Sequence, residues 1–155
     1  MCAFALFAPP SAASDSHDLL RTLLKPDIAK LAPEATIKRF TKLVVLERSQ
    51  PFPGMLLLTG GDAQQRVELR YEPDAASGAK RFAQGALRIS APDSEAQFRD
   101  FERVLRKKLG KPRYERRDDG PLPTIGWRLG KLEVALSQSS RWVEVSIVHH
   151  AASNL

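Results

Sequence analysis

SEAQFRDFERVLRKKLG, residues 94–110, is the stretch whose reading decides the fold of this chain. Ser94 with Gln97 three residues later fits a capping box, in which the hydroxyl accepts from the third helical amide and the Gln side chain reaches back. A helix is therefore expected to begin near Glu95. Phe98, Phe101, Leu105 and Leu109, with Val104 beside them, recur at three-to-four spacing and lay one apolar stripe along it. Glu95 with Arg99 and Glu102 with Arg106 are acid-before-base pairs four apart, each worth a few tenths of a kcal/mol on an exposed face. Gly110 supplies the left-handed residue that ends a helix, and Pro112 cannot continue one.

Downstream the period changes to two. Ile125, Trp127 and Leu129 alternate with Gly126 and Arg128, and Leu132, Val134 and Leu136 with Glu133, Ala135 and Ser137. Such alternation marks half-buried strands. Gly130-Lys131 between them has Gly first, as a two-residue type II′ hairpin requires. After the polar turn 138–141, Val143, Val145 and Ile147 repeat the pattern with Trp142, Glu144 and Ser146 opposite. Three antiparallel strands thus follow the helix.

Upstream, Asp15 or Ser16 can cap a short helix carrying Leu19, Leu20, Leu23 and Leu24, which Pro26 interrupts before a turn with Ile28 and Leu31. Pro33 is read as closing that region. Residues 36–48, with Val44, Val45 and Leu46, read as a strand buried on both faces, and residues 54–59 read the same way before the turn Gly60-Gly61-Asp62. Arg66, Glu68, Arg70 and Glu72 then face solvent while Val67, Leu69 and Tyr71 face inward. A loop over 73–80 leads to a strand over 82–91, with Leu87 and Ile89 inward and Arg88 outward. The expected fold is α+β, two helices on one face of a curved, mostly antiparallel sheet in the order α-β4-α-β3. The two halves read as related pseudo-repeats, without residue identity between them.

The chain has 155 residues, 43% hydrophobic, enough for a single domain with its own core, expected over residues 15–150 with a tail at 151–155. One cysteine, Cys2, excludes an internal disulfide and a Cys-based zinc site. Residues 1–14 carry no charge and resemble the back half of a bacterial secretory signal peptide, with cleavage after Ala13; the other reading is a disordered arm. The location is periplasmic or secreted in the first case and cytoplasmic in the second. No stretch approaches the roughly 20 apolar residues a membrane span needs.

Motifs for chemistry are sparse. His17 and His149-His150 have no ligand pattern around them, and adjacent histidines on a strand point to opposite faces, so no metal or cofactor is expected. Asp118-Asp119-Gly120 before Pro121 reads as a loop. No nucleophile elbow, zinc-protease helix or P-loop occurs, so no catalytic residues are assigned and an enzyme would have to assemble its site in space.

Charge is the strongest asymmetry. Between Arg99 and Arg117 lie nine basic residues against Asp100, Glu102 and Glu115, a surplus equal to the net charge of +6 of the whole chain. Arg99, Arg103, Arg106 and Lys107 are expected on the helix face away from the stripe, and Lys111, Arg113, Arg116 and Arg117 in the loop beyond. These are the candidate partner-binding residues, suited to an acidic protein surface or a phosphate backbone. Tyr114 is the lone aromatic among them, and no nucleic-acid motif accompanies them.

The helix, Gly110-Lys111-Pro112, a polar loop, then Trp127-Arg128-Leu129-Gly130 and strands resemble a pattern of small bacterial exported or toxin-neutralising α+β domains. The resemblance covers about the last 60 residues. It implies a non-catalytic protein that binds another protein, as an immunity-type inhibitor or envelope module. The basic surface adds the expectation of an acidic partner such as a toxin, an effector or an envelope protein, with the loop 111–119 as the inserting element if that partner is an enzyme. The alternatives are a nucleic-acid or anionic-lipid binder, a secretion chaperone, and an enzyme with an unrecognised site.

Overall fold

The computed structural model describes residues 12–117 and 122–150, with side chains from Ser16 onward. Most of the N-terminal segment 1–14, the Asp118-Asp119-Gly120 loop and the tail 151–155 lie outside the described residues. The chain is mixed α+β: helices α1 (Ala12–Leu23), α2 (Pro33–Phe40) and α3 (Ser94–Leu109) and eight strands. The strands are β1 (Glu47–Ser49), β2 (Leu56–Gly61), β3 (Gln65–Pro73), β4 (Lys80–Ser90), β5 (Tyr114–Arg116), β6 (Thr124–Leu129), β7 (Leu132–Gln138) and β8 (Trp142–His149).

All eight form one antiparallel sheet in the order β1-β2-β3-β4-β8-β7-β6-β5. Each half is a meander of four strands preceded by helix, and the halves meet where their last strands pair, with Leu87 opposite Val145. α1 lies against β3 and β4, and α3 against β6, β7 and β8. Inward side chains of the strands and the leucines and phenylalanines of α1 and α3 make a single core. Phe101, Leu105, Leu20 and Leu23 are fully buried in it. Gly85 of β4 lets α1 approach, since a Cβ there would stand 3.0 Å from a Leu23 methyl.

Several expectations are corrected. The order α-β4-α-β3 gives way to α-α-β4-α-β4. Pro33 opens a helix instead of closing a region, because proline's fixed φ and missing N–H suit the first helical position. The strand expected over 36–48 is therefore α2 plus a loop, and only Glu47–Ser49 pairs in the sheet. Val45, expected inside, is 73% exposed. α1 begins at Ala12, before Asp15 and Ser16, and Ser16 is a buried helical residue whose hydroxyl donates to Gln65 Oε1 at 3.0 Å. At α3 the cap is Asp93, whose carboxylate accepts from the Ala96 amide at 3.0 Å. Ser94 instead accepts from Gln138 Nε2 of β7 at 3.2 Å, so the reciprocal Gln97 bond is not made and Gln97 Nε2 has no hydrogen-bond partner. The helix ends as its sequence indicates, at Gly110 with φ +83°. Gly130 has φ +60° and among the described residues only glycines have positive φ, so only the first central residue of that hairpin has positive φ, as type II′ demands.

α2 is tied to the core by one buried hydrogen bond. Thr36 Oγ1 lies 3.2 Å from the Ala32 carbonyl, which takes its proton, so the fully buried Tyr71 hydroxyl donates to Thr36 at 2.6 Å. Burial raises the Tyr71 pKa above its ordinary 10.0. The folded state thus holds this proton more tightly than the unfolded chain, and the stability it contributes is complete below pH 10 and lost as pH rises through the raised value. Tyr71→Phe is expected to cost about 1 kcal/mol at neutral pH. It should also flatten the loss of stability above pH 10, which urea melts of the two proteins between pH 8 and 11 would show.

Candidate functional site

The basic residues of the run divide into paired and unpaired ones, and each group draws members from α3 and from the segment beyond it. α3 turns its apolar stripe inward and Arg99, Arg103 and Lys107 outward. Arg99 bonds Glu95 one turn back, and Arg103 lies 3.9 Å from Asp100. Arg106 and Arg117 are drawn into a closed ring with Glu102 and Glu115. Arg106 Nε is 3.3 Å from Glu102, its Nη2 bonds Glu115, and Arg117 reaches Glu102 at 2.6 Å and Glu115 at 3.4 Å. The ring carries no net charge and clamps β5 to α3. Its hydrogen bond from Arg106 holds the Glu115 carboxyl below its ordinary 4.5, so this contribution to stability is present above that value and is lost as pH falls through the depressed one.

The other members of the run stay uncommitted. Lys107, Lys108, Lys111 and Arg113 make no ion pair, and Arg116 lies 5.7 Å over the Tyr114 ring. Lys107 and Lys108 occupy the last turn of α3, where the helix dipole favours cations. Lys111, Arg113 and Arg116 lie beyond its reach.

β5, which the sequence reading passed over as loop, carries Tyr114 and Arg116 onto the sheet face that no helix covers. Tyr114 lies on Gly126, where a Cβ would come within 2.1 Å of the ring. That face is crossed by one continuous row in register: Arg66, Arg88, Glu144, Ser137, Thr124 and Arg116. At about 4.8 Å per strand the row is about 24 Å long. Beside it run Glu68, Ala86, Ser146, Ala135, Gly126 and Tyr114. Arg66 and Arg88 were legible as exposed strand residues, but their adjacency was not, because it depends on the pairing of β3 with β4.

The histidines are dispersed. His17 bonds Asp100 at 2.5 Å and joins α1 to α3. His149 sits beside Leu132 on the helix side, with burial and then Arg81 and Lys131 lowering its pKa from 6.5, while His150 bonds Glu133 at 2.8 Å. Among the described residues no three histidine, cysteine or acidic side chains gather as metal ligands.

Glu102 is the acid common to both arginines of the ring and its side chain is 18% exposed. Glu102→Gln is expected to lose about 1 kcal/mol, or 2–4 °C in melting temperature for a chain of this size. The same substitution should release β5, read as faster amide exchange at Glu115 and Arg116, while an Arg103→Gln control leaves both unchanged.

No family model matches the chain, and neither a curated protein nor a solved structure shows significant similarity to it.

Proposed function

We propose that this chain is a protein-binding module that acts without catalysis and docks an acidic partner through the basic end of α3 and β5. The observation that carries the reading is the division of the basic run. Arg99, Arg106 and Arg117 are committed to acids of the same fold, whereas Lys111, Arg113 and Arg116, with Lys107 beside them, serve no ion pair. Cations that no acid of the same fold neutralises, on one end of a molecule, are available to a partner, and arginine forks suit carboxylates.

On this reading the partner is a toxin, effector or envelope protein and the chain an immunity-type inhibitor, in line with the resemblance of the segment from α3 to β6. A periplasmic location goes with it if residues 1–14 act as a leader. The segment 111–119, whose last two residues lie outside the described residues, would be the inserting element. A competing polyanion reading rests on the same free cations.

The test is affinity capture from source-cell extract with the full chain, beside a Lys107→Glu, Lys111→Glu, Arg113→Glu, Arg116→Glu variant. This variant leaves the Glu102–Arg106–Glu115–Arg117 ring intact, so its fold should be unchanged. The expected result is one dominant acidic protein whose affinity falls at least tenfold on reversal. Capture of nucleic acid in its place, with affinity falling steeply with salt, would overturn the reading.

A further inference from the structure

Most arginines of the helix-free face have an acid of their own. Arg88 bonds Glu144 at 2.9 Å, Arg70 lies 3.4 Å from Glu72 and Arg66 lies 4.0 Å from Glu68. Arg128 departs from this pattern. The register of β6 on β7 sets it opposite Glu133, the ordinary arrangement of a cross-strand ion pair. The pair is not made. Arg128 Nε donates to the Gly130 carbonyl at 3.2 Å, while Glu133 accepts from His150 Nε2 at 2.8 Å and from the Tyr114 hydroxyl at 3.5 Å. Arg113, the residue before β5, is fixed through its backbone amide, which donates to the Gly126 carbonyl at 2.7 Å, and its exposed side chain forms no ion pair among the described residues. These two arginines, with Tyr114, Trp127 and Glu133, line a cleft of about 350 Å³.

We infer that this cleft receives a carboxylate side chain of the acidic partner, held between the guanidinium groups of Arg113 and Arg128. The inference rests on the protein-binding reading above and deepens it, adding a residue outside the basic run, Arg128, and the place where an acid of the partner inserts. The one acid on the wall leaves both arginines unsatisfied, because its oxygens are engaged by His150 and Tyr114. Two guanidinium charges against one carboxylate leave the cleft positive. Its volume lies at the small end of the range that ligand sites occupy, enough for one side chain of a partner. A single inserted side chain also fits better than a phosphate backbone, which would have to pass Glu133 to follow the face onward. Arginine, tyrosine and tryptophan together are the residue types on which the binding energy of protein interfaces concentrates.

The test separates an unpaired arginine from a paired one on the same face. The probe is an acidic peptide, acetyl-Gly-Asp-Glu-Glu-Asp-Gly-amide, titrated into the nitrogen-15-labelled full chain. Its Asn/Gln counterpart, inorganic phosphate and a 12-nucleotide single-stranded DNA serve as comparators. The acidic peptide should shift the Nε–Hε signals of Arg113 and Arg128 and the amide signals of Tyr114 and Glu133. Its affinity there should fall about tenfold or more in Arg128→Gln, whose melting temperature should stay within about 2 °C of the parent because no ion pair is lost. Arg88→Gln, which removes an arginine already paired with Glu144, should leave the affinity unchanged. An equal loss in the two variants would reduce the effect to net charge and overturn the anchor. Peptide shifts confined to Lys107, Lys108, Lys111 and Arg116 would overturn the cleft and leave the protein-binding reading standing. No shift anywhere would overturn the cleft as well, with the capture experiment above deciding the wider reading by itself. Shifts of Arg113 and Arg128 as large with the Asn/Gln peptide, phosphate or DNA would overturn the carboxylate assignment.

Discussion

The pairing of β4 with β8 is the constraint on which the structure depends. Among the described residues it is the only place where strands of the two meanders pair, and it lies at the middle of the sheet. Leu87 and Val145 meet there with no exposed surface, flanked by Ile89 against Val143 and Gly85 against Ile147. Strands joined only here bring α1 and α3 over the same side, so a helix from each half covers its own meander and the core is continuous between them. Among the described residues no helix packs on the opposite side of the sheet.

How much of this was legible in the sequence differs between the halves, for physical reasons. From residue 94 on, local signals agree with one another: an apolar stripe of helical period, a glycine that must take positive φ, a hairpin glycine, and strict alternation in three strands. Near residue 33 they conflict. Proline both ends helices and begins them, and the run Val44-Val45-Leu46 has strand propensity in a segment that tertiary context leaves as loop. β5 is three residues long and charged, so no periodicity can announce it; its place follows from the pairing of Tyr114 with Gly126.

The candidate site shows the same limit more sharply. Counting charges along the chain shows where cations are concentrated in the sequence, but a count treats each ion as free. The fold returns Arg106 and Arg117 to Glu102 and Glu115, two of them separated by fifteen positions, and so withdraws two of the nine cations from the surface that the count suggested. The open face depends on register in the same way, since Arg66 and Arg88 stand on different strands and become neighbours only through it. Internal neutralisation and cross-strand adjacency are both long-range facts.

The two outermost strands, β1 and β5, are three residues each, and both consist of polar or charged residues apart from Tyr114. Pro51 follows β1 two positions after its end, and Arg48 within it is occupied by Glu34 of α2 at 2.9 Å. An edge of this kind offers an incoming chain too few backbone groups to template on. Lateral growth of the sheet is thereby disfavoured at both ends, so the eight-stranded breadth of the molecule stops at edges that do not invite a ninth strand.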